Sequence, residues 1–347
     1  MSESFSESFN EYLLSSPFVR LSELDKNQKA KPLRLEAIHV APSLIASWQV
    51  VDIVLPPSVS IRPENNSYAY VLTDGRPGFL LDLKTGEQYT AGLPSTAVTK
   101  AVIRPGDKLD EIALLAPSHE SIYFWSAKEG KITRRLPGRD ITSIAYSDTG
   151  AYLVAGSAAN RVFVYSTNWR PDGDDDLLSM HLSVSVRDVV WHSTGANNIK
   201  GRFYVLTADG YFSLIAINNG KLVRRRLSMR PGDGENRWND YSLHARSSMG
   251  TIQIAIKGNR NLVAMESEHH ENQPVLVHID REESGKVQKL EWTNSSGYLS
   301  VMCQRDVHFL EILTGGVYSR SLDRKLPDGF TPVTCYTTDH TAVVVGY

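Results

Sequence analysis

A short unit that returns along the chain constrains the fold more than any other feature of this sequence. Its clearest copy runs from Ile141 to Leu182. It opens with Ile141-Thr142-Ser143-Ile144-Ala145-Tyr146, apolar at alternate positions, and turns at Asp148-Thr149-Gly150. Ala151-Tyr152-Leu153-Val154-Ala155-Gly156-Ser157 follows, and a tight turn at Ala159-Asn160 leads into Arg161-Val162-Phe163-Val164-Tyr165-Ser166. A fourth extended run ends near His181-Leu182. Period-two runs rich in Val, Ile, Tyr and Phe, punctuated by Asp, Asn and Gly, read as strands. Four of them within about 40 residues form an antiparallel meander, which buries its faces only by stacking on further copies.

Those copies align on the end of the third strand, at Leu81-Asp82, Trp125-Ser126, Tyr165-Ser166, Ile215-Ala216, Met265-Glu266 and Leu310-Glu311. Neighbouring copies stand roughly 40–50 residues apart, matching the period of a propeller blade plus loop insertions. Gly86, Gly130, Gly220 and Gly315 each fall at the hairpin between the third and fourth strands, where a short turn needs positive φ. Six complete units span about 50–92, 97–137, 141–184, 186–228, 241–280 and 287–322. Only two strand-like runs remain, Thr331–Tyr336 and Thr341–Gly346. One repeat upstream of Leu81 lies Leu33-Arg34-Leu35-Glu36-Ala37-Ile38-His39-Val40, which can complete that last unit. Joining the two ends removes two exposed sheet edges. The expected fold is therefore all-β, a seven-bladed β-propeller over residues 31–347 whose last blade combines N- and C-terminal strands. Counts of six and eight stay open, because the boundaries near residues 50 and 330 are the weakest.

The pattern resembles the WD-repeat family, whose blades carry an apolar strand, a turn with Asp and Gly, a strand ending in Gly-Ser and a strand ending in Trp-Asp. Ser147-Asp148-Thr149-Gly150, Gly156-Ser157 and Val164-Tyr165-Ser166 occupy those places. The resemblance covers nearly the whole chain with degraded motifs. Gly138-Arg139 and Gly92-Leu93 stand where the family has Gly-His. Asp209-Gly210 is the one good copy of the turn whose Asp holds that His, and the resemblance implies His181 as its structural partner. It carries over fold, not any one member's function.

Residues 1–30 read as a separate extension. Ser2–Phe9 is a biased Ser/Glu/Phe repeat expected to be mobile. Asn10–Leu24 is apolar enough to dock, on the side of the domain or into another protein. Asp25–Pro32 is a solvated linker. The start has neither the basic residues nor the apolar block of a secretory signal, and no apolar run is long enough to span a membrane. Lysine and arginine number 37 against 39 aspartates and glutamates. That balance argues against bulk capture of nucleic acid or acidic lipid. Cys303 and Cys335 are the only cysteines, both in strand-like runs, which fits a reducing compartment and a cytoplasmic or nuclear location.

Catalytic and metal patterns are weak. Asp172-Gly173-Asp174-Asp175-Asp176 lacks the frame and closing Glu of a calcium loop, so it reads as an acidic solvated loop. Glu268-His269-His270-Glu271 cannot converge on one ion from an extended strand. There is no C-x-x-C, no nucleophile elbow and no phosphate-binding glycine loop. Asp52, Lys100, Ser143, Asp188 and Lys289 on the inner strands look like a tunnel lining rather than a metal cage. The expectation is thus a non-enzyme without cofactor or metal.

Binding residues are expected on loops and on one outer strand. Lys221, Arg224, Arg225, Arg226 and Arg230 concentrate positive charge that either solvates an edge or takes an acidic peptide or phosphate. Arg225-Arg226-Leu227-Ser228 also matches a short basophilic kinase pattern. Long connections at Trp169–Asp176, Ser193–Lys200 and Ser267–Gln273 emerge on one face of a propeller. Met229–Asn239, with Arg230, Arg237 and Trp238, emerges on the other. Loops on a rigid scaffold carry recognition, and Trp and Arg are enriched at hot spots. Candidate contacts are Trp238, Arg237, Arg230, Arg224, Arg226, Trp169, Asp174 and Asp175. The expected role is an interaction scaffold that binds other protein subunits of an intracellular complex. The alternatives are a substrate-recognition adaptor for a modifying enzyme such as a ubiquitin ligase, and a propeller hydrolase or lyase with a site at the channel mouth.

Overall fold

The computed structural model describes residues 50–54, 68–82, 85, 87–105, 111–116, 121–137, 140–147, 149–167, 177–191, 201–209, 212–226, 243–248, 251–257, 262–267, 275–278, 287–292, 298–303, 306–311, 317–321, 334–336 and 342–344. Every regular element among them is a strand. The first sheet contains β1 (Val50–Val54), β2 (Tyr68–Thr73), β3 (Phe79–Asp82) and β4 (Gln88–Tyr89). The second has β5 (Lys100–Ile103), β6 (Ile112–Leu115), β7 (Ser121–Ser126) and β8 (Lys131–Pro137). The third has β9 (Ile141–Tyr146), β10 (Tyr152–Ser157), β11 (Arg161–Ser166) and β12 (Leu177–His181). The fourth has β13 (Val186–Trp191), β14 (Arg202–Thr207), β15 (Phe212–Asn218) and β16 (Lys221–Arg226). The fifth and sixth are β17 (Leu243–Ser248), β18 (Thr251–Lys257), β19 (Leu262–Ser267), β20 (Val275–His278), and β21 (Val287–Trp292), β22 (Tyr298–Cys303), β23 (Asp306–Glu311), β24 (Val317–Ser321). A two-stranded sheet of β25 (Thr334–Tyr336) and β26 (Ala342–Val344) ends the series.

Each four-stranded sheet is an antiparallel meander in chain order. The first strands of successive sheets are neighbours, from β1 and β5 through β17 and β21. β25 in turn lies beside β1, so the end of the series comes back to its start. Meanders arranged radially in this way make a β-propeller. Six of the expected units are found as four-stranded sheets within the expected boundaries. Residues 33–40, expected to complete the last sheet, lie outside the described residues, as does the extension at 1–30.

Stacking explains why the middle strands are apolar throughout. In β6, Ile112 and Leu114 pack toward the first sheet with Tyr70, Leu72, Leu80 and Trp125, all buried. Ala113 and Leu115 point the other way, into a core with Ile141, Ile144, Leu153 and Phe163 of the third sheet. Val154, Val162 and Val164 then meet Val186, Val189, Phe203 and Val205 of the fourth. A strand covered on both faces has no solvent side to fill with polar residues.

The third-strand ends that align the repeats serve local roles. Trp125 is fully buried and donates from Nε1 to the Ala91 carbonyl at 2.9 Å. Its ring meets Tyr70 edge-on, with centroids 6.2 Å apart. Asp82 and Ser126 hold the following hairpins, accepting from the amides of Thr85 at 3.2 Å and Glu129 at 3.1 Å. These are Asx- and ST-type turns, which explains a short polar side chain in that slot.

Candidate functional site

The first strands of four sheets share an irregularity that sets a polar residue at the same register position. In β1 the register skips Val51, pairing Val50 with Thr73 and Asp52 with Leu72. β9 skips Thr142, β13 skips Arg187 and β21 skips Gln288 in the same way. Such a bulge adds one residue on the inner strand and re-aims the next side chain. The residues that follow it are Asp52, Ser143, Asp188 and Lys289. Lys100, paired with Leu115, holds the equivalent register in β5. A recurring triplet marks the spot, with a β-branched residue, any residue, then a polar one: Val50-Val51-Asp52, Val98-Thr99-Lys100, Ile141-Thr142-Ser143, Val186-Arg187-Asp188 and Val287-Gln288-Lys289.

Three of these side chains satisfy one another across three sheets. Lys100 Nζ donates to Ser143 Oγ at 2.6 Å and to Asp188 Oδ1 at 2.8 Å. The Ser143 hydroxyl donates to the same carboxylate and accepts the Val189 amide at 3.3 Å. The Asp188 side chain is only 14% exposed against 33% for Lys100. A mostly buried carboxylate needs such pairing to stay ionised. The arrangement clamps β5, β9 and β13 at the axis. Thr142 adds a second tie, its single hydroxyl proton directed to the Val186 carbonyl at 2.8 Å with the Gly156 carbonyl at 3.1 Å beside it.

A second polar cluster joins the second and third sheets away from the axis, and sequence reasoning did not find it. The Tyr146 hydroxyl donates to Glu111 Oε1 at 2.8 Å. Arg104 and Arg134 lie 3.7 and 3.6 Å from the same carboxylate. Arg104 also donates to the Gly150 carbonyl and to Thr167 Oγ1, while Arg134 reaches the Thr167 carbonyl and covers the Phe124 ring at 4.0 Å. Burial, then the Glu111 charge and hydrogen bond, push the Tyr146 hydroxyl well above its ordinary pKa of 10.0. Glu111 and Tyr146 are far apart in the chain and no local pattern links them. The available signal was an acidic residue set immediately before an apolar strand.

Two large apolar side chains are exposed among the described residues, at two places. Tyr152, 37% exposed, stacks on Trp191 at 6.1 Å and 12°, and Trp191 stacks in turn on buried Phe203 at 5.8 Å. Tyr152 opens β10, opposite Ser166 at the end of β11, and Trp191 closes β13. The other place is β16. Lys221 is exposed, Val223 is 52% exposed, and Arg224 Nε donates to buried Ser213 Oγ at 2.8 Å. Arg225 and Arg226 continue this strand.

Of the other expected contacts, Trp169, Asp174, Asp175, Arg230, Arg237 and Trp238 lie outside the described residues, as do Ser228 and His269-His270. Asp209 accepts from the Thr207 hydroxyl at 2.5 Å, and His181 is an exposed residue opposite Arg161 in β12. Among the described residues no group of three or more His, Cys, Asp or Glu could hold a metal ion, and no helix is long and apolar enough to cross a membrane. Cys303 is fully buried.

The fold and these sites define a β-propeller with polar ties between its sheets. No protein-family model matches the sequence, and no curated protein sequence matches it. Among solved structures the chain is similar to the crystal structure of the Myceliophteria thermophila Cps50 (Swd1) β-propeller domain. The identity is 17% and the TM-score 0.43, over 58% of this chain and 60% of that one. The chain thus matches less than two thirds of that domain's length.

Proposed function

We propose that the chain is a seven-bladed, WD-repeat-like propeller that serves as a non-catalytic interaction subunit of a cytoplasmic or nuclear multiprotein complex. The observation that carries this is the stacked Tyr152–Trp191 pair, with Tyr152 exposed and Trp191 half-buried, at strand ends next to the long sequence connections. The two rings are held by the fourth sheet through Phe203, so little side-chain freedom remains for a partner to remove on binding. Aromatic anchors on a preorganised scaffold are the usual centres of protein contacts. The Lys100–Ser143–Asp188 network supports a structural role for the channel, because its three polar groups are bonded to one another. Arg230, Arg237 and Trp238 remain further candidate contacts.

Affinity purification of the intact chain beside Tyr152→Glu and Trp238→Ala/Arg237→Ala variants tests this reading. Stoichiometric protein partners should accompany the intact chain, and Tyr152→Glu should release at least one of them while leaving the fold unchanged by circular dichroism. A chain that purifies alone at physiological salt contradicts the platform role. Identical partners for all three proteins contradict the assignment of these contacts.

A further inference from the structure

The outer strands β8 and β16 are near copies, Lys131-Ile132-Thr133-Arg134-Arg135-Leu136 and Lys221-Leu222-Val223-Arg224-Arg225-Arg226, yet the two edges differ. In β8 the charges are engaged within the molecule. Lys131 pairs with Glu129 at 2.9 Å, Arg134 with Glu111, and Arg135 donates to Ser121 Oγ at 2.7 Å beside the Tyr123 ring. In β16 Arg224 keeps the serine bond, but Lys221 forms no ion pair among the described residues. Val223, one of two large exposed apolar side chains among those residues, stands at the register that Arg134 holds in β8.

The turn before β16 sets which backbone groups point outward. Asn219 and Gly220 have φ of 49° and 71° between paired Asn218 and Lys221, a two-residue hairpin. Hydrogen-bonded pairs alternate from there, so Lys221, Val223 and Arg225 bond to β15 while Leu222, Arg224 and Arg226 present N–H and C=O outward. β16 is the last strand of its sheet, and no described strand pairs with that side. Leu222 packs among Leu178, Met180 and Ile217, so the preceding sheet covers the Leu222 face. On the other face, Lys221 and Val223 are exposed.

From this edge we infer that β16 takes an added strand from an acidic partner, an extended segment with an apolar residue opposite Val223 and carboxylates opposite Lys221 and Arg225. This deepens the platform reading and rests on it. Charge selects the occupant. A second copy of β16 would bring four cations against four, which opposes self-pairing. An acidic strand gains backbone bonds, apolar contact and complementary charge together.

The probe is a fluorescent peptide with a Glu-Thr-Val-Thr-Glu core, read by anisotropy on the full chain. Its controls are a Lys-for-Glu version and a version N-methylated at alternate amides. The acidic peptide should bind. Lys221→Glu/Arg225→Glu should weaken it by roughly tenfold or more, and N-methylation should abolish binding. Val223→Thr, a β-branched replacement of similar size at an exposed strand position, should weaken it less. No binding at millimolar peptide overturns the proposal, as does binding unaffected by charge reversal. Retention of the N-methylated peptide also overturns it, by showing electrostatic capture without strand addition. If peptide binding fails while partners still co-purify, the edge proposal falls and the platform reading stands.

Discussion

A methyl group on Gly156 would sit 2.3 Å from Val186 Cγ1 and 3.0 Å from Val189 Cγ1, so only glycine lets the third and fourth sheets close together there. Gly156→Ala should lower stability by about 1–3 kcal/mol, through overpacking. Urea unfolding tests this, with a lower midpoint expected at unchanged slope. Tyr146 gives a pH signature. Its folded-state pKa is raised, so its contribution is complete below the ordinary 10.0 and is lost as pH rises toward the folded value. In that window the unfolded chain releases the proton and the folded chain retains it. Stability should therefore fall above pH 10 in denaturant titrations. Tyr146→Phe should flatten that alkaline fall at the cost of the Glu111 bond, and an equally steep fall in the variant would contradict the assignment. At this scale the sequence was only partly legible. Lys100, Ser143 and Asp188 could be placed at the axis from their repeat positions. Glu111 with its two arginines could not, because the contact is made by stacking of separate sheets.

The strands themselves were readable because short runs rich in Val, Ile, Tyr and Phe end in turn residues. Gly130 and Gly220, placed at hairpins by sequence, have φ of 60° and 71°. No atom lies within 4 Å of where a Cβ on Gly220 would stand, so its need is for backbone conformation alone. Gly220→Ala should cost about 1 kcal/mol. Hydrogen exchange should show faster opening of β15 and β16, with β9 and β10 unchanged. Uniform loosening of all sheets would show instead that the turn acts on the whole domain. The inner-strand bulge was not foreseen. One extra residue leaves the apolar alternation on either side nearly intact, so periodicity hides it. The recurring β-branched residue two places before a polar one was the visible trace.

At the scale of the molecule, each sheet leaves two faces that only its neighbours cover, so stability depends on completing the ring. The six-fold recurrence announced this arrangement, and β25 beside β1 brings the ends together. The exposed aromatic stack was less legible, since Tyr152 on Trp191 joins residues from different repeats. The central claim is a closed ring whose last blade is shared by both ends of the chain. Hydrogen–deuterium exchange on the full chain beside one lacking residues 1–40 tests it most directly. The account predicts slow exchange at residues 33–40, and loss of protection in β25 and β26 when they are removed. Free-chain exchange at 33–40, with β25 and β26 equally protected in both proteins, would contradict it.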